Sequence, residues 1–158
     1  MKENTSAVLD TFDLAILRIL QKDNAVPHRV IGEQVNLSAP SVQRRIRRME
    51  NSGVIAANVS IVDPTKVELP LTIIVEVELV SETAEGIDTV KKLFSETPQI
   101  QQCYYVTGEV DFMLLMVVGS MAEYEELTRS LFFENEIVRK FRTFVSMDRV
   151  KAKMELRL

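Results

Sequence analysis

The sequence predicts an α+β chain in two parts, three short helices with a wing followed by a β-α-β-β-α-β unit. Three observations predict it. Up to Gly53 the apolar residues recur at helical spacing. From Leu71 onward strand-like alternation is interrupted by two helical stretches. The charge is also divided, with eight Lys+Arg against seven Asp+Glu in residues 1–64 and eleven against sixteen in residues 65–158.

Helix 1 is expected over 11–22. Asp10 caps it, and Asp13 places a negative charge in its first turn. Phe12, Ile16, Ile19 and Leu20 share one face, which Leu17 widens. Helix 2 is expected from Pro27, a residue suited to a first helical position, to about Val35, with Val30, Ile31 and Val35 as its stripe. Asn36 and Leu37 turn the chain, since asparagine tolerates left-handed backbone. Helix 3 is expected over 39–51. Ser38 caps it, Pro40 sits where a missing N–H costs nothing, and Gly53 stops it. After Gly53, residues 54–57 and 59–62 read as the two strands of a wing.

Within helix 3, Val42, Ile46 and Met49 face inward by spacing. Ser41, Arg44, Arg45 and Arg48 are then expected on the outer face, flanked by Gln43 and Arg47. Guanidinium groups pair with phosphate oxygens and bond bidentately to guanine, and glutamine reads adenine. Together with the capping Ser38, these are the candidate DNA-contacting residues: Ser38, Ser41, Gln43, Arg44, Arg45, Arg47 and Arg48. The net charge of −4 does not oppose this, because the local field decides whether a surface attracts phosphate. The basic segment carries no aromatic residue, which favours duplex DNA over single strands. The plainer alternative is a solvated charged face on a three-helix domain.

The linker is expected over 63–70, bounded by the Asp63-Pro64 turn and Pro70. A strand follows over 71–80, with Ile73, Val75, Val77 and Leu79 on one face and Glu76 and Glu78 on the other. A helix over 86–96 turns Ile87, Val90, Leu93 and Phe94 inward. Strands are expected over 101–107 and 112–118, joined by the loop 108–111. Ser120 and Glu123 begin a capping box, and the helix after it uses Tyr124, Leu127 and Leu131 as its inner face. The last strand is expected over 141–150. This order is the ferredoxin-like arrangement, with both helices on one face of an antiparallel sheet. The strand 112–118 is apolar on both faces, so its outer side predicts a second copy of the chain as cover. The expected domains are thus 1–62, a linker 63–70, and 71–158.

The chain resembles the Lrp/AsnC family of leucine-responsive and asparagine-type regulators. The residues that carry the likeness are Leu9-Asp10 with Asp13 and Ile16-Leu17, the run from Leu37 to Arg45 continued by Arg48-Met49-Glu50 and Gly53-Val54-Ile55, the segment Val106 to Phe112, and Phe144 to Met147. Ala39 stands where the family more often has proline. The resemblance implies a winged helix-turn-helix joined to a βαββαβ effector domain, dimers that assemble further, often to octamers, and amino-acid ligands bound between subunits. Carried onto this chain, it implies an effector site at Thr107, Gly108, Asp111 and Phe112, with Met121, Thr143, Phe144 and Ser146 beside it. There the glycine loop would offer N–H groups to a carboxylate and Asp111 would take an ammonium group. The alternative is a hairpin turn with Asp111 bonded to backbone.

Other classes fit less well. The single histidine, His28, opens helix 2 as an expected surface residue, and the single cysteine, Cys103, is expected in core packing. Met113, Met116 and Met147 are also expected in the core. No metal-ligand cluster, phosphate loop or nucleophile–base pair is present, so an enzyme, a metal and a cofactor are not expected. Residues 1–6 are polar and lack the apolar core of a leader, there is no long apolar run, and a lone cysteine suits a reducing compartment, so a cytoplasmic protein is expected. Two further readings share parts of the pattern: an architectural DNA protein without an effector, and an amino-acid-binding regulatory subunit.

Overall fold

The computed structural model describes residues 8–81 and 83–158. The polar N-terminal residues 1–6 lie outside them. The chain forms two compact units, one running up to Ser60 and including Ala152–Leu158, the other spanning Ile61–Lys151. The last seven residues therefore join the first unit, whereas the sequence placed them with the second.

In the first unit α1 is Thr11–Leu20, α2 is His28–Val35 and α3 is Ala39–Asn51. Asp10 and Asp13 cap α1 reciprocally, each carboxylate accepting the other's backbone N–H, at 2.9 and 3.0 Å. Ser38 caps α3 through the Ser41 N–H. Ile16, Leu17, Ile31, Val35, Val42, Ile46 and Met49 form the core of the unit.

The wing does not form, as residues 54–62 contain no strand. A short two-stranded ribbon is marginal by itself, and this segment is drawn back to α3 instead. The Ile55 N–H donates to the Met49 carbonyl at 3.1 Å, and Asn58 Nδ2 donates to Glu50 at 2.8 Å.

The second unit opens with a 3-10 turn at Pro64–Val67 in the expected linker. There follow β1 (Leu71–Leu79), α4 (Ala84–Glu96), β2 (Ile100–Tyr105), β3 (Phe112–Val118), α5 (Met121–Thr128) and β4 (Val138–Val145). The antiparallel sheet has the order β2-β3-β1-β4. One face packs Ile73, Val75, Val77, Phe112, Leu114 and Met116 against Val90 and Phe94 of α4 and Tyr124 of α5. A π-helical turn, Arg129–Phe133, continues α5 and turns both Leu131 and Phe132 into this core.

β4 starts and ends earlier than expected. Val145 pairs with Ile73 and the Ser146 N–H reaches the Thr72 carbonyl, after which β1 has nearly run out at Leu71 and the preceding Pro70 has no N–H to offer. Three smaller expectations also change. Cys103 is exposed on the edge strand β2. Met147 is fully exposed, whereas Met116 is in the core. The Ser120–Glu123 box is half made: Ser120 Oγ accepts the Glu123 N–H, but the Glu123 carboxylate takes the Gly119 N–H.

Candidate functional site

The two helices of the helix-turn-helix are joined by a tight turn. Asn36 adopts left-handed backbone (φ 56°), and the Leu37 N–H donates to the Gly32 carbonyl at 2.9 Å. A Cβ on Gly32 would run into the backbone oxygen of Leu37. Sequence reasoning missed Gly32; the signal was a glycine inside an eight-residue helix, where it costs helix stability unless close approach requires it. Gly32→Ala is expected to destabilise the unit by about 1–2 kcal/mol net, since the overpacking cost exceeds the roughly 1 kcal/mol gain in helix propensity. Thermal denaturation checks this, and an unchanged or raised midpoint would show that the turn relaxes freely.

On α3, Gln43, Arg44 and Arg47 are exposed, and with Pro40, Arg48, Asn51 and Ser52 they line an open groove. Among the described residues Arg44 and Arg47 make no ion pair. Arg45 is different. Its guanidinium bonds Asp10 at 2.7 Å and Asp13 at 2.8 Å, lies over the Phe12 ring at 5.5 Å, and leaves its side chain only 20% exposed. Arg48 also pairs with Asp13 but stays half-exposed. Asp13 itself is fully buried. The expected outer row of Arg44, Arg45 and Arg48 is thus divided: Arg45 is an internal strut, Arg48 is anchored at the rim, and Arg44 and Arg47 point outward. The Asp13 backbone N–H first, and Arg45 second, hold the Asp10 carboxyl below its usual pKa, while Asp10 and Asp13 raise that of Arg45. Ser38 and Ser41 are exposed and half-buried, and their hydroxyls bond each other at 3.0 Å. His28 is exposed at the start of α2.

The effector-site candidates do not converge in one chain. Gly108 has φ +132°, and a Cβ there would meet nothing within 4 Å, so its backbone geometry, not crowding, demands glycine. Thr107 is exposed beside it. Asp111 is built into the frame: its carboxylate accepts the Leu79 N–H at 2.7 Å, its own N–H donates to Val77 and its carbonyl accepts from Val106. Phe112 is fully buried against Phe94 and Tyr105. Thr143 faces the helices and meets the Tyr124 hydroxyl at 2.6 Å, while Phe144 is exposed on the opposite face of the sheet beside Ile74. Ser146 bonds the Asp148 carbonyl, and Met121 is half-exposed at the start of α5. Beyond the hairpin loop, Glu76, Glu78, Glu109, Lys140 and Arg142 line a cavity of about 100 Å³, with Arg142 pairing Glu76 at 2.6 Å. That is smaller than the roughly 300 Å³ of an ordinary ligand pocket.

Residues 9–50 match the AsnC-type helix-turn-helix domain, and residues 72–156 match the Lrp/AsnC ligand binding domain. The chain belongs to the Lrp/AsnC family. It is 44% identical over 144 residues to an uncharacterized HTH-type transcriptional regulator of Sinorhizobium fredii, covering 91% of this chain and 85% of the other. The crystal structure of an AsnC family transcriptional regulator from Agrobacterium tumefaciens superposes with a TM-score of 0.88 at 32% identity, over 94% of this chain and 97% of that one. A Neisseria meningitidis transcriptional regulator, solved as an L-Met complex, shares the fold with a TM-score of 0.88 at 21% identity, over 95% and 97%. This Lrp/AsnC chain is accordingly a transcriptional regulator with a helix-turn-helix and a ligand-binding domain, not an enzyme. Among the described residues no group of His, Cys, Asp and Glu is placed to hold a metal, and no helix is long and apolar enough to cross a membrane.

Proposed function

We propose that the protein is a cytoplasmic, sequence-specific duplex-DNA-binding regulator that works as a homodimer or larger assembly and responds to an amino acid. The observation that carries the DNA reading is the outward set Gln43, Arg44 and Arg47 on α3, beside an Arg48 already held by Asp13. It combines base-reading and phosphate-pairing chemistry on one capped helix. The ligand-binding-domain match and the L-Met complex of a protein of the same fold support an amino-acid effector. The site's geography supports a second copy. Thr143 and Phe144 lie on opposite faces of the sheet, so one chain does not gather the candidate residues around one ligand. The row Leu115, Ile74 and Phe144 across β3, β1 and β4 offers an apolar face for such a copy.

The test is selection of a duplex from a random pool, followed by fluorescence anisotropy with and without each common L-amino acid. Asp111→Ala is expected to keep basal DNA binding and lose ligand affinity by at least about tenfold, because the loop loses the bond that ties it to β1. Unchanged ligand affinity by calorimetry would place the effector elsewhere. A wild type that selects no duplex overturns the DNA reading. One that selects a duplex but responds to no amino acid overturns the effector reading and favours an architectural role.

A further inference from the structure

Arg18 and Gln21 lie at the C-terminal end of α1 and hold the backbone of the chain's last residues. Gln21 Nε2 donates to the Leu156 carbonyl at 3.2 Å, and the Leu156 N–H donates to Gln21 Oε1 at 2.7 Å. Arg18 Nε donates to the Leu158 carbonyl at 2.9 Å. A side-chain amide that bonds both backbone groups of one residue imitates the pairing of neighbouring strands. It needs an extended peptide and reads no side chain. The tail suits that role. From Val150 to Leu158 apolar residues alternate with Lys151, Lys153, Glu155 and Arg157, the period of a strand.

The topology makes this contact consequential. The chain leaves the first unit after Ser60 and returns to it at Ala152, so two covalent connections join the units. Only residues 146–151 separate the end of β4 from the returning segment. β4 carries Thr143 and Phe144, with Ser146 just beyond it, three of the candidate effector residues.

We infer that residues 152–158 are a strap, clipped to α1 by Arg18 and Gln21, that ties the DNA-binding unit to the end of β4 and restricts its freedom. The three bonds are solvent-exposed, hence individually weak, so the strap opens without unfolding either unit. When clipped, it pre-organises the two DNA-binding units of a dimer for simultaneous engagement. When released, each unit still binds DNA but the pair engages less efficiently. This function rests on the proposed DNA-binding dimer; the clip itself does not.

The Arg18→Ala/Gln21→Ala variant of the whole 158-residue chain tests both parts. Both positions lie at the surface end of α1, outside the buried core. Amide exchange of the tail peptide by mass spectrometry, and tryptic cleavage after Lys151 and Lys153, are expected to accelerate at least about fivefold as the tail loses protection. Gln21→Glu, which keeps the acceptor for the Leu156 N–H and loses the donor, should fall between. On a duplex selected by the wild type, affinity for two half-sites is expected to drop about tenfold, with single-half-site affinity within about twofold. Deletion of residues 152–158 should reproduce the DNA result. Wild-type exchange and cleavage rates in the double variant would overturn the clip. A loosened tail with an unchanged ratio of two-site to one-site affinity would overturn the coupling. A wild type that binds no duplex would fail the DNA reading instead, while the exchange measurement still judges the clip.

Discussion

Asp13→Ala is expected to destabilise the helix-turn-helix unit by about 3 kcal/mol, between the roughly 1.5–3 of a lost charged hydrogen bond and the 3–5 of a broken buried pair. Asp13 is fully buried and accepts from the Asp10 N–H, from Arg45 at 2.8 Å and from Arg48. Without it the α1 cap is half lost. Arg48, half-exposed, turns to water at little cost. Arg45, whose side chain is only 20% exposed, keeps Asp10 alone and decides the magnitude. Asp13→Asn retains an acceptor and should cost about half as much. Urea denaturation followed by circular dichroism measures both. A loss under about 1 kcal/mol for the alanine variant would mean that Arg45 finds water when freed, making the buried cluster a surface pair in energetic terms.

The paired change Arg44→Ala and Arg47→Ala is expected to do the opposite, leaving stability unchanged and lowering duplex affinity roughly a hundredfold, at about 1.5 kcal/mol or more per lost charged contact. If both arginines meet phosphate, the slope of log affinity against log salt should fall by about 2; if one reads a base, it should fall by about 1 and sequence preference should relax. Arg45→Ala is the contrasting control, since its guanidinium is engaged with Asp10 and Asp13. Anisotropy over a salt series beside thermal denaturation separates the two classes. An unchanged slope and affinity in a stable Arg44/Arg47 variant would remove this face of α3 from the DNA interface.

Local chemistry made the best-defined elements legible. Ser38 and Gly53 bracket α3, and its expected bounds of 39–51 are those observed. The doubly apolar run of β3 and the alternation of β1 were equally plain. What periodicity did not show was the partner waiting on each face. Arg45 lies three residues after Val42 and four before Met49, a position on the buried stripe, and only the two aspartates of α1 explain why an arginine sits there. The wing failed for a related reason: alternation in residues 54–62 supplies strand propensity but no neighbour to pair with. The tail shows the reverse, an alternating segment whose backbone partner is a side-chain amide far away in sequence. In the hairpin loop, Gly108, Asp111 and Phe112 were named through resemblance to the family, and a strand apolar on both faces did not tell that the Phe112 ring turns into the core.

The buried Asp13 also bears on how such proteins acquire new operators. A recognition helix is commonly imagined as an exchangeable part, yet here Arg45 and Arg48 are counter-ions to a carboxylate on another helix. Grafting a foreign α3 that lacks them would strand Asp13 as an unpaired charge in an apolar interior, a penalty of several kcal/mol set against a domain whose whole stability is of similar size. With α3 as the proposed recognition helix, retargeting by mutation is expected at Gln43, Arg44 and Arg47, which are exposed, while Asp10, Asp13, Arg45 and Arg48 are expected to be inherited or replaced as one block.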